Sequence, residues 1–102
     1  MASLPAELKE ELGILYGERL VHLALFGSQA RDDFEEGSDI DVLVVLDGNV
    51  RPYDEIQRTG EIVSALSLRN REVVSCVFWD KETWLNGGGP LSRNIRREGI
   101  AI

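Results

Sequence analysis

Four residues in one stretch of this chain have the types and spacing of a site that handles phosphate and metal: Gly27, Ser28, Asp39 and Asp41, within LFGSQARDDFEEGSDIDVLVV from Leu25 to Val45. Gly27 lets the backbone approach a ligand closely and Ser28 offers a hydroxyl. The amides that follow, at the N-terminus of a short helix beginning just after Ser28, form an anion site suited to phosphates. Asp39 and Asp41 lie two positions apart, so on a strand they project from one face while Ile40 and Val42 point the other way into a core. Two carboxylates on the solvent side of an otherwise apolar strand repel each other, and neither has a cation adjacent in sequence, so metal binding is the natural compensation. Oxygen-only ligands select a hard cation, and a phosphate-bearing substrate normally brings Mg²⁺. The bland alternative for Asp-Ile-Asp is a capping acid at a strand edge.

These residues need elements to hold them. Leu4, Leu8, Leu12 and Leu15 recur at helical spacing, with Ser3 as a cap and Pro5 in the first turn, which predicts an amphipathic helix over about residues 4 to 16 that stops at Gly17. Val21, Leu23, Leu25 and Phe26 make a short buried strand ending at Gly27. Ile40 and Val42 to Leu46 form the most strand-like run in the chain and predict a central strand. Pro52 opens a helix with Asp54 and Glu55 in its first turn, apolar positions Tyr53, Ile56, Val63 and Leu66, and Arg69 and Arg71 near its end. Val73 to Trp79 reads as a third strand, and Asp80-Lys81-Glu82 leads into a helical turn carrying Trp84 and Leu85. Beyond the Gly87-Gly88-Gly89-Pro90 breaker, a last helix runs from Leu91 to Glu98 and stops at Gly99. The order predicts an α/β domain, a small mixed sheet of three or four strands flanked by helices.

At 102 residues, with 43% hydrophobic and 28% charged, the chain fits a single compact domain, 1–102. A net charge of -7 argues against generic nucleic-acid binding, which depends on Lys and Arg neutralising phosphates. It is compatible with carboxylates that bind phosphate through an intervening cation, although solubility alone accounts for it. The single cysteine, Cys76, sits in an apolar run as a small buried hydrophobe and implies a reducing compartment. MASLPAELKEEL carries acids where a signal peptide carries basic and then apolar residues, and no apolar stretch reaches the ~20 residues needed to span a bilayer. The expected location is the cytoplasm, with no membrane contact.

The Leu25–Val45 stretch resembles the nucleotidyltransferase superfamily of the DNA polymerase β type, marked by Gly-Ser, a spacer of about ten residues and Asp-x-Asp on a hydrophobic strand. It is similar in particular to the minimal nucleotidyltransferases of bacteria and archaea, which pair with helical higher eukaryotes and prokaryotes nucleotide-binding (HEPN) proteins. The shared residues are Gly27 to Arg31 and Ser38 to Val45, with weaker similarity over the whole chain to Asn94–Ile100. The resemblance implies a nucleotidyltransferase fold and transfer of a nucleoside monophosphate from ATP or a related triphosphate. Gly27 and Ser28 would contact the triphosphate, and Asp39 and Asp41 would be catalytic and hold Mg²⁺ or Mn²⁺. It also implies a HEPN-type helical partner, antitoxin-like neutralisation of that partner as the alternative to catalysis, and a homo- or hetero-oligomer, since so short a domain has no separate acceptor-binding unit.

A third carboxylate on the neighbouring strand normally completes such a site. Here that strand reads Glu72-Val73-Val74-Ser75-Cys76-Val77-Phe78-Trp79, with Ser75 about where the acid is expected. Either Glu72 reaches the site from the strand's beginning, or the ligand is missing and catalysis is weakened, lost or completed by a partner. On a regular strand Glu72 and Ser75 face opposite sides, so only one points at the aspartates. Elsewhere Arg31 is divided evenly between a phosphate contact and pairing with Asp32, Asp33 or Glu35. His22 has no companion at ligand spacing and reads as structural. Arg93, Arg96 and Arg97 read as a solvated helix end, and Trp79 and Trp84 as core or interface.

Overall fold

The computed structural model describes residues 4–26, 40–87 and 89–102. The predicted spacer helix and Gly27–Asp39, with the phosphate turn and the first aspartate, lie outside the described residues, as do Ser3 and Gly88. Helix α1 spans Leu4–Tyr16, a 3₁₀ turn covers Gly17–Arg19, and strand β1 spans Leu20–Phe26. Strand β2 is Ile40–Leu46, helix α2 Pro52–Asn70, strand β3 Val74–Asp80, helix α3 Lys81–Asn86, helix α4 Pro90–Glu98, and strand β4 Ile100–Ala101. The sheet is four-stranded and mixed, in the order β3-β2-β1-β4. β1 is antiparallel to β2 and β4, whereas β2 and β3 are parallel and joined through α2, as a parallel pair requires.

β2 is the centre of the molecule. Val42 to Leu46 are fully buried, which happens only when both faces of a strand are covered. On one face Ile40, Val42, Val44 and Leu46 pack with Leu23, Leu25, Val74 and Phe78 under α1 and α2. On the other, Ala24, Leu43, Val45 and Ile95 pack with Phe26, Val77, Trp79 and Trp84 beneath α3 and α4.

The α1 stripe continues its four-residue spacing through Leu4, Leu8 and Leu12 to Tyr16, so Tyr16 takes the core position expected of Leu15, which is half-exposed. Gly17 ends the helix because the chain turns there at φ 56, a backbone region costly for residues with a Cβ. α2 departs more from expectation. Its buried residues are Glu55, Thr59 and Leu66, with Ile62 and Val63 partly buried, while Tyr53 and Ile56 are 72% and 52% exposed. The reason is polar: Tyr16 donates its hydroxyl to Glu55 Oε1 at 2.7 Å, and Arg58 donates to the same oxygen at 2.7 Å. Thr59 donates to the Glu55 carbonyl at 2.8 Å, so the buried polar groups of this turn are partnered.

Two features escape the hydrophobic pattern. Leu20 pairs with Leu46 but His22 with Val45, so Val21 is an extra residue that turns His22 to the α3/α4 face. β4 has only two residues, paired with Ala24 and Leu25, and follows a close approach: a Cβ on Gly99 would collide with the Ile95 carbonyl oxygen.

Candidate active site at the start of the central strand

Asp41 is the second residue of β2. Its register partners are Phe26, the last residue of β1, and Ser75, the second residue of β3. Register partners project from the same face, so Phe26, Asp41 and Ser75 form a row across three strands that lie about 4.8 Å apart. The Ile40 amide donates to the Val73 carbonyl at 2.7 Å and holds that register at the strand's opening. Further along the same face Leu43 and Val45 are fully buried under Trp84 and Ile95. The expectation that this face of β2 looks to solvent therefore fails at Leu43 and Val45, and Asp41 at its beginning is half-buried. Ile40 and Val42 point into the α1/α2 core as expected.

Of the four site residues read from sequence, only Asp41 lies within the described residues. Chain connectivity still constrains the others: Gly27 directly follows Phe26, the partner of Asp41, and Asp39 directly precedes Ile40. Ser75 stands beside Asp41, as the sequence suggests. The alternation argument about Glu72 does not apply, because β3 begins at Val74 and Glu72 lies in the turn after α2, where its amide donates to the Ser67 carbonyl at 3.0 Å. Its carboxylate is nonetheless distinctive: Glu72 Oε2 is buried without a hydrogen-bond partner among the described residues. An unpartnered buried carboxylate oxygen costs free energy.

Among the described residues the donors in this row are the Asp41 carboxylate and the Ser75 hydroxyl, hard oxygen groups that suit a cation such as Mg²⁺ rather than a thiophilic metal. Among the described residues no three His, Cys, Asp or Glu come together as a metal-holding group. A cavity of about 460 Å³ opens at the other end of β2 and β3, lined by Asp47, Gly48, Asp80, Lys81, Glu82, Leu85 and Asn86. Its acids disfavour phosphate, and Asp80 already caps α3 by accepting from the Thr83 amide at 2.6 Å.

Of the other candidates, His22, Arg96 and Cys76 have packing contacts. His22 stacks on Trp84 with ring centroids 4.9 Å apart, and partial burial lowers its pKa. The Arg96 guanidinium lies 4.8 Å from the Trp84 ring centre, so Arg96 joins that stack while Arg93 and Arg97 stay exposed. Arg31 lies outside the described residues. Cys76 is a partly buried member of the α1/α2 core, and burial pushes its thiol up to about 11. Among the described residues no helix is long and apolar enough to cross a membrane.

The sequence pattern of the nucleotidyltransferase domain matches residues 5–101, from the first turn of α1 to β4. The chain belongs to the nucleotidyltransferase domain family. A "putative protein adenylyltransferase" of Methanocaldococcus jannaschii is 32% identical over 75 residues, 74% of this chain and 75% of that protein. Among solved structures, a "putative nucleotidyltransferase" of Sulfolobus solfataricus superposes with a TM-score of 0.64 at 22% identity, over 96% of this chain and 77% of that one. A toxin–antitoxin structure with AMP-PNP gives a TM-score of 0.64 at 20% identity, over 93% of this chain and 70% of that one. A mutant of the toxin–antitoxin MntA–HpeT gives 0.61 at 18% identity with the same coverage. These likenesses show that the mixed sheet with its flanking helices is the nucleotidyltransferase fold.

Proposed function

We propose that this nucleotidyltransferase domain transfers a nucleoside monophosphate from ATP or a related triphosphate to an acceptor hydroxyl, with Asp39 and Asp41 holding Mg²⁺ or Mn²⁺ and Gly27 and Ser28 holding the triphosphate. The observation that carries the reading is the position of Asp41: a half-buried carboxylate at the open end of the central strand, in a row with Phe26 and Ser75. When bound, the divalent cation supplies charge neutralisation at the phosphates, which lowers the barrier to attack on the α-phosphorus. The acceptor oxygen bonds to that phosphorus as the bond to pyrophosphate breaks, and the acceptor's proton is released to solvent. Asp41 fixes one side of the phosphate-binding region, and the apolar floor beneath it keeps the carboxylate in a less polar setting. An acceptor hydroxyl on a partner protein is supported by the relative named as a protein adenylyltransferase, and the acidic chain is expected to work in the cytoplasm.

Ser75 favours a second reading. Beside Asp41 the chain presents a hydroxyl, which cannot take the acceptor's proton as a carboxylate does. An antitoxin-like module that neutralises a HEPN-type partner by contact, with little or no turnover, fits that substitution. Incubation with labelled ATP, Mg²⁺ and candidate partner proteins, followed by mass spectrometry, separates the two. Added nucleoside monophosphate on the partner is expected for the transferase. Tight complex formation with no added mass would instead select the binding module.

A further inference from the structure

The outer edge of β3 and the flank of α2 beside it form a surface that nucleotide chemistry leaves unused. Among the described residues β3 is the last strand on its side of the sheet. The Val73 carbonyl accepts from Ile40 on β2, so strand alternation turns the amides and carbonyls of Ser75, Val77 and Trp79 towards β2 and those of Val74, Cys76 and Phe78 outwards. The Ser67 hydroxyl of α2 accepts from the Val74 amide at 3.3 Å. Cys76 and Phe78 follow as an open edge. Proline, lysine and inward charges, which normally blunt such edges, do not occur between Val74 and Trp79.

Alongside runs a groove of about 310 Å³ between Ile56, Gly60 and Val63 of α2 and Val74, Cys76 and Phe78 of β3. None of the described residues lining it is charged, although 28% of the chain is. Ile56 and, one turn earlier on the same flank, Tyr53 stand out from it, both more than half exposed.

We propose that this edge and groove are the contact between two copies of the chain, with β3 pairing antiparallel to its own counterpart across a two-fold axis and the two sheets becoming one. A two-fold contact sets a surface against itself, so every charge in it meets its like. With a net charge of -7, most of this molecule's surface repels a second copy, and the uncharged strip is where self-contact carries no such cost. The exposed apolar side chains Tyr53 and Ile56 and the groove beside Gly60 belong to one surface, so a two-fold contact sets apolar side chains and groove of one copy against those of the other. An axis normal to the sheet puts Asp41 of both copies on one side of the joined sheet, each one strand removed from the seam. The inference goes beyond nucleotide transfer and does not depend on it.

Sedimentation velocity of the intact chain, from micromolar to submillimolar concentration, tests it. The wild type should shift with concentration from 11.4 kDa towards twice that mass. At Gly60 an added Cβ meets nothing within 4 Å, and replacing a helical glycine improves helix propensity, so Gly60→Lys should fold at least as stably. It should weaken the dimer by about a hundredfold or more, because the axis brings two desolvated ammonium groups into the contact. Cys76→Pro, which removes an outward amide and leaves the ladder to β2 intact, should act alike. A wild type that stays monomeric at every concentration, including one that associates only with a different protein, overturns the proposal. So does a dimer that Gly60→Lys leaves unchanged.

Discussion

At the scale of single residues, the proposed transferase turns on Asp41 and its register partner Ser75. Their register makes Ser75→Asp the informative variant, because it adds a metal ligand and a proton acceptor beside Asp41 at once. The expected outcome is transferase activity raised above wild type by about tenfold or more, read as nucleotide incorporation under saturating Mg²⁺. If the unpartnered carboxylate of Glu72 supplies the acid instead, wild type should already turn over, Glu72→Gln should cut the rate strongly, and Ser75→Asp should be neutral or harmful. His22 carries a second prediction. Burial lowers its folded pKa below the ordinary 6.5, so the unfolded chain takes up a proton first as pH falls. Stability is therefore fully present above about pH 7 and declines as pH drops through 6.5 towards the folded value. Denaturant midpoints should show this slope in the wild type and a flatter one in His22→Phe, which keeps the stack on Trp84 and removes the titration. The Ser75 position was legible only through the family resemblance, which marks where a third carboxylate is expected on the neighbouring strand, and the register of β2 with β3 sets Ser75 beside Asp41. The stack was not, because it depends on the extra residue Val21 turning His22 over, and no composition rule marks a bulge.

At the scale of elements, the hydrophobic pattern located α1, α2 and the three longer strands, and the Gly-Pro breaker with its charged and glycine flanks located α3 and α4, while the 3₁₀ turn Gly17–Arg19 was not foreseen. β2 was the plainest, since a strand covered on both faces reads as an unbroken apolar run. Which face of α2 is buried was not legible, because its inner turn is polar. Tyr53 and Ile56 look like core residues by type, yet Glu55 and Thr59 are buried in their place because Tyr16, Arg58 and the helix backbone provide their hydrogen bonds. Tyr16→Phe removes one charge-assisted hydrogen bond to a carboxylate that keeps Arg58. It should lower the unfolding free energy by about 1–2 kcal/mol in urea titration while leaving nucleotide binding unchanged. Loss of folding altogether would show that Tyr16 is needed to place α1, and no change would show that water replaces its hydroxyl. β4 was not foreseen as an element because two residues carry no period; its place follows from the tight packing of Gly99 on Ile95.

At the scale of the whole molecule, one sheet does two jobs. Its two covered faces supply the core, and the start of β2 places Asp41 beside Phe26, the residue that Gly27 follows in sequence. Family membership and fold followed from a short motif with a long hydrophobic strand, whereas nothing in that motif encodes an acceptor surface. The net charge of -7 sets an expectation of its own: without a divalent cation the chain should bind triphosphate poorly, because its carboxylates and the phosphates repel. The central claim, that Asp39 and Asp41 bind triphosphate through a divalent metal, is tested most directly by calorimetry of ATP with and without Mg²⁺. Mg²⁺ should strengthen ATP binding to the wild type by about tenfold or more and give no strengthening in the Asp39→Ala, Asp41→Ala double variant. Equal metal-dependent strengthening in a folded double variant would contradict the account.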